Sequence, residues 1–261
     1  MNQIRKILLP TDFSACAQIA LDYVVYMMSQ DETLQLILLH VDDNPDLVIE
    51  EADKQLNEVK KSLLPHIQSR TQIISQQGAL VETILSVRQE KNIDLIVMGT
   101  EGGEPDEVSA SSHAAQLLQS SNCPVLIIPN TTTNFQIHQI ALALDKQAID
   151  DLATLDVLHD VARWFGAKVH VLTVKKPTEP DNAGFGPNQS DLEYYLETLD
   201  YHYAFPENAD IQLGITNYID QNNIDLLVIL PRSHSLNAPP SPGKLTRLLA
   251  LHTHIPLLVI D

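Results

Sequence analysis

The chain has 261 residues, 44% of them apolar, enough for a proper core in one large domain or two of ordinary size. A formal charge of −18 makes its surface acidic, which argues against electrostatic attachment to DNA, RNA or anionic lipid. Two cysteines, Cys16 and Cys123, form no disulfide framework; each lies in an apolar stretch and is expected as a buried free thiol in a reducing cytoplasm.

The opening residues MNQIRKILLPTD run straight into a strand, too short in their apolar run for a signal-peptide core. No stretch is long and apolar enough to span a bilayer, so a soluble, cytoplasmic protein is expected. IRKILLP at 4–10 reads as a buried strand. Residues 14–29 follow as a helix, with Ile19, Ala20, Tyr23, Val24 and Met27 recurring on one face. LQLILLHV at 34–41 is a strand, 49–69 a long charged helix, TQIIS at 71–75 a strand and 79–91 a helix after Gly78. DLIVMG at 94–99 is a strand, 112–121 a helix and CPVLIIP at 123–129 a closing strand. Strands and helices alternate, and the strands are apolar on both faces, the pattern of a parallel sheet covered by helices.

The same order then starts again. IALALD at 140–145 repeats ILLPTD at 7–12, a displacement of 133 residues. NNIDLLVIL at 222–230 repeats KNIDLIVMG at 91–99, displaced by 131, and IPLLVI at 255–260 repeats CPVLII at 123–128, displaced by 132. So regular an offset marks a duplication. It divides the chain into domains at 1–130 and 136–261, joined by a polar linker, NTTTN, at about 130–135. In the second copy, residues 147–165 read as a helix ended by Gly166, and KVHVLTV at 168–174 as a strand. A Pro- and Gly-rich loop covers 176–187. A helix at 189–199, a strand near 201–205 and a helix near 209–222 complete the set.

PTDFS at 10–14, NIDLIVMGTEGG at 92–103 and SSNCPVLIIP at 120–129 resemble the universal stress proteins, and IDLLVILPRSH with LALHTHIPLLVI resemble the second halves of tandem members. The resemblance covers essentially the whole chain. It implies two doubly wound, Rossmann-like α/β domains, each a five-stranded parallel sheet of order 3-2-1-4-5. It also implies pseudo-two-fold symmetry, with the last strands of the two halves pairing as an intrachain pseudo-dimer. The ligand place it implies is the crevice between strands one and four, where open α/β sheets in general bind. The positions that match the family's adenosine contacts are Pro10, Thr11, Asp12, Val41, Met98 and Gly99. AMP or ATP with magnesium is the ligand so implied, and an unidentified protein, or a second copy of the chain, the partner.

The phosphate half departs from the family pattern of Gly, two residues, Gly, nine residues and Gly followed by Ser or Thr. Gly99 and Gly102 open it, but Ser112 and His113 stand at its end. Glycine matters there because backbone N–H groups must approach the phosphate closely. Glu101, Glu104, Asp106 and Glu107 also crowd the loop. One carboxylate about 8 Å from a phosphate charge opposes it by roughly 2 kcal/mol at an effective dielectric of about 20. A helix N-terminus returns only about 0.3–1 kcal/mol. AMP therefore suits the sequence better than ATP unless magnesium bridges the charges. In the second copy Asp145 keeps the strand-one carboxylate, Leu230-Pro231 replaces Gly-Thr, and Arg232, His234 and Lys244 are candidate anion contacts or plain surface charges.

Several clusters have ordinary readings. Asp12 and Asp145 suit hydrogen bonding within a strand–helix turn as well as a ribose contact. His252 and His254 lack a third metal ligand. Asp42, Asp43, Asp46, Glu50, Glu51 and Asp53 read as a solvated face at a helix start. Ser109, Ser111 and Ser112 have no assignable base. HExxH, GxSxG, the Walker lysine motif and CxxC are all absent, so a non-catalytic regulatory protein with a degenerate nucleotide pocket is expected. The alternatives are an adenine-nucleotide sensor and a weak nucleotide hydrolase.

Overall fold

The computed structural model describes residues 3–43, 49–101, 113–144, 152–178, 189–230 and 254–260. Two compact units divide the chain between Phe135 and Gln136.

The first unit runs β1 (Lys6–Pro10), α1 (Ala15–Gln30), β2 (Gln35–Asp42), α2 (Ile49–Ser62), α3 (Pro65–Gln68), β3 (Thr71–Gln77), α4 (Leu80–Lys91), β4 (Leu95–Thr100), α5 (His113–Ser120) and β5 (Val125–Pro129). Its strands pair in parallel in the order β3-β2-β1-β4-β5. At the centre of that order Ile7, Leu8 and Leu9 of β1 are 0% exposed, because helices cover both faces of the sheet. Tyr23, Val24, Met27 and Met28 give α1 its buried stripe.

The second unit runs β6 (Gln139–Ala143), a 3-10 turn at Leu152–Leu155, α6 (Asp156–Phe165), β7 (Lys168–Leu172), α7 (Gln189–Leu196), β8 (Tyr201–Ala204), α8 (Ile211–Asn222), β9 (Leu226–Ile229) and β10 (Leu257–Val259). Its parallel order is β10-β9-β6-β7-β8, the same 3-2-1-4-5 topology read from the other end.

The repeated motifs serve the fold itself. Asn92 and Asn223 end α4 and α8 in the left-handed conformation, at φ 52° and 50°, which asparagine tolerates. The next residues, Ile93 and Ile224, are buried anchors. The aspartate that follows then closes the sheet. Asp94 Oδ2 accepts hydrogen bonds from the Arg5 and Lys6 amides at 2.9 and 2.8 Å. Asp225 Oδ2 does the same for His138 and Gln139 at 2.8 and 2.9 Å. The prolines of the third repeat immediately precede strands, where no N–H is needed, and their carbonyls take the amide of the second residue of the neighbouring strand: Ile96 to Pro124 and Leu227 to Pro256, both at 3.0 Å.

Several sequence expectations change. The helix expected over 49–69 is two helices, because Pro65 cannot continue one and holds Leu64 extended at ψ 144°. β3 extends past 75 to Gln77, where it still pairs with Asp42. The described part of the helix expected over 147–165 begins with a 3-10 turn, and α6 proper starts at Asp156. Cys16 is only half-buried, its Sγ 3.0 Å from Ser14 Oγ, whereas Cys123 is buried and its thiol pushed up to about 11 by that burial. The polar stretch at 130–134 is tied down: Thr132 is buried, Asn130 N–H donates to Thr100 O, and Phe135 lies against Tyr23 and Tyr26. Asp53, expected as part of a solvated face, accepts the Ser75 hydroxyl of β3.

Candidate functional site

The strand order of the first unit reverses direction between β1 and β4, since the chain leaves β1 toward β2 and later returns to place β4 on the other side. Pro10, Thr11 and Asp12 follow the end of β1, Val41 lies near the end of β2, and Met98 and Gly99 near the end of β4. These six sequence candidates share the C-terminal edge of one sheet. Pro10 is buried, Thr11, Val41, Met98 and Gly99 are half-buried, and Asp12 is exposed. Gly102 and Ser112 lie outside the described residues, as do Glu104, Asp106, Glu107, Ser109 and Ser111. Glu101 is exposed.

The β1–α1 loop is held by its own short side chains. The Thr11 amide donates to Leu39 O at 2.8 Å, extending the β1–β2 ladder by one rung. Thr11 Oγ1 accepts from the Phe13 amide at 3.1 Å, and Asp12 Oδ1 from the Ser14 amide at 3.0 Å. Ser14 caps α1 by accepting the Ala17 amide at 3.3 Å. Phe13 has φ 63°, a left-handed conformation costing a bulky residue about 1–2 kcal/mol.

Partial burial works against ionisation of Asp12. Hydrogen bonds from the Ser14 side chain and amide and from its own amide, with His40 nearby, outweigh that burial and hold the carboxyl below the ordinary aspartate range. Asp12 is therefore anionic at neutral pH.

Gly99 has a packing reason to be glycine. A Cβ there would lie 2.4 Å from Cys16 O and 2.7 Å from Cys16 C, both backbone atoms at the start of α1. The absent side chain lets α1 sit directly on β4, and that close approach accounts for the residue without a phosphate.

Sequence reading missed His40. Its Nδ1 lies 2.8 Å from Thr11 O, and its ring lies 4.8 Å from the Phe13 ring. The signal was present in the repeat: LLHV at 38–41 aligns with VLTV at 171–174, each with a polar donor in an apolar run. Thr173 Oγ1 indeed donates to Leu144 O at 3.0 Å, as the Leu144 amide donates to Leu172 O. The other second-unit candidates, Asp145, Arg232 and Lys244, with His234, lie outside the described residues.

The second unit buries a different polar cluster. His170 is 6% exposed, with Nδ1 2.8 Å from Tyr218 Oη and Nε2 2.7 Å from Gln139 Oε1. Its ring lies 4.2 Å from that of His202, its direct neighbour across the β7–β8 pair. Burial first, then His202 and Lys168, push His170 down to about 4, against a smaller upward pull from Asp200. On α6, His159 Nε2 lies 2.7 Å from Thr198 Oγ1, and the Tyr195 hydroxyl donates to Asp156. His254 pairs with Asp220 at 3.2 Å, while His252 lies outside the described residues. Among the described residues no three His, Cys, Asp or Glu side chains gather as a metal site, and no helix is long and apolar enough to cross a membrane.

Residues 3–129 match the model of the universal stress protein family. A universal stress protein of Synechocystis sp. is 31% identical over 134 residues, which are 48% of this chain and 85% of that protein. One from Methanocaldococcus jannaschii is 27% identical over 154 residues, covering 48% of this chain and 94% of its own length. The crystal structure of a universal stress protein from Archaeoglobus fulgidus matches 100% of this chain and 99% of its own, with a TM-score of 0.75 at 18% identity, a likeness of fold across both units.

Proposed function

This chain belongs to the universal stress protein family in its tandem form, and on that premise we propose a non-catalytic, cytoplasmic regulatory protein whose first unit keeps a crevice for an adenosine moiety. The observation that carries this reading is Asp12: an exposed, ionised carboxylate beside the reversal point of the sheet. Its Oδ1 accepts the Ser14 amide, and an exposed carboxylate at this sheet edge suits a pair of ribose hydroxyls. Val41 and Met98 offer half-buried apolar surface for a base at the same sheet edge. The acidic loop sequence from Glu101 to Glu107 disfavours a polyphosphate, so the pocket is degenerate on that side and AMP ranks above ATP. Occupancy would then be reported to a protein partner rather than spent in chemistry.

Calorimetry on the dialysed chain with AMP, ADP and MgATP tests this. AMP is expected to bind more tightly than MgATP, and Asp12→Ala to weaken AMP by roughly tenfold or more, the loss of hydrogen bonds to a charged acceptor. Absence of heat with all three nucleotides at millimolar concentration overturns the proposal. Tighter binding of MgATP than of AMP would favour the sensor of ATP instead.

A further inference from the structure

We propose that His40 is the positioning residue of this site: it sets the β1–α1 loop and thereby presents Asp12, an inference that rests on the adenosine reading above. A carbonyl oxygen can only accept, so the 2.8 Å contact with Thr11 O requires the proton on Nδ1 of His40. The same imidazole packs on Phe13 at 4.8 Å between ring centroids. His40 thus grips the residue before Asp12 and the residue after it. The second grip falls on Phe13, whose φ of 63° a bulky side chain resists unless its surroundings hold it there.

The second unit supplies an independent observation. Thr173 stands at the position equivalent to His40, and Leu144 at that of Thr11, both 133 residues on. A different side chain donates to the same carbonyl, at 3.0 Å. The acceptor is therefore a fixed demand of this strand–helix junction, met by a hydroxyl in one copy and an imidazole in the other. In the first copy the imidazole also reaches the ring of Phe13.

The test compares His40→Thr with His40→Val in the full chain, two near-isosteric variants that differ in the donor, and adds His40→Phe, which keeps a ring without one. Amide exchange over residues 11–17 reads the loop without ligand, calorimetry with AMP reads the site, and cooperative unfolding certifies each fold. The Val variant, which keeps neither contact, is expected to exchange faster, and to lose AMP affinity, by roughly three- to tenfold. Thr and Phe, each keeping one of the two contacts, are expected between it and wild type. Unchanged exchange in both donor-free variants overturns the inference, as does a Thr variant as impaired as Val. If the wild-type chain takes up no adenine nucleotide, the adenosine reading falls and the exchange measurement alone decides the role of His40.

Discussion

Asp94 and Asp225 show how a residue can look like chemistry and serve architecture. Each sits in the strongest repeat of the chain, and each spends one carboxylate oxygen on two backbone amides at the start of the central strand. Removing either leaves two donors without their charged acceptor. Asp94→Ala is expected to destabilise the first unit by about 1.5–3 kcal/mol, and Asp225→Ala the second by a similar amount, measured by urea denaturation. Because the two share no partner, the double variant should show nearly the sum. Asp12 differs from them in being exposed and in hydrogen bonding only within its own turn. That contrast, invisible in the letters, separates a strand clamp from a candidate ligand contact. Gly99 moves the other way, from candidate contact to packing necessity, because the α1 backbone occupies the volume of a side chain there.

At the scale of elements, the pairing of β7 with β8 carries the clearest pH signature. His170 and His202 face each other across it, with Lys168 adding positive charge, Asp200 opposing it and Tyr218 donating from α8. Both imidazoles are held below the ordinary histidine range, in each case chiefly by burial. Below about pH 6.5 the unfolded chain therefore takes up protons that the folded unit refuses. Stability tied to this cluster is complete above pH 6.5 and declines as pH falls toward about 4, the value to which His170 is pushed. Denaturation midpoints measured across that window should fall with pH. His170→Phe should show a shallower fall, together with a lower midpoint at pH 7.5, because Tyr218 and Gln139 lose their partner. A variant with the wild-type slope would place the acid sensitivity elsewhere. The split at Pro65 belongs to this scale too: the charged period over 49–69 is continuous in sequence, and one missing amide divides it.

For the whole molecule, the governing quantity is the excess of 34 acidic over 16 basic residues. Like charges repel more in the compact state than in the extended one. Raising ionic strength from about 10 mM to about 150 mM shortens the screening length from roughly 30 to 8 Å and should raise the thermal midpoint. A midpoint that falls with added salt would mean that favourable ion pairs outweigh the repulsion.

The sequence by itself determined the alternation of strand and helix, the duplication and its offset, and the parallel character of both sheets. These follow from local rules: apolar period, turn residues, and self-similarity at a fixed spacing. It also marked the edge of the sheet on which Pro10, Thr11, Asp12, Val41, Met98 and Gly99 meet, through resemblance to a family. Which of those residues serve the fold, and that His40 joins them, was decided only by the tertiary structure. A hydrogen bond from His40 to Thr11 spans 29 positions, and the collision that forbids a side chain at Gly99 comes from a helix 83 positions earlier. Such contacts depend on where folding carries distant backbone atoms, and local composition holds no record of that.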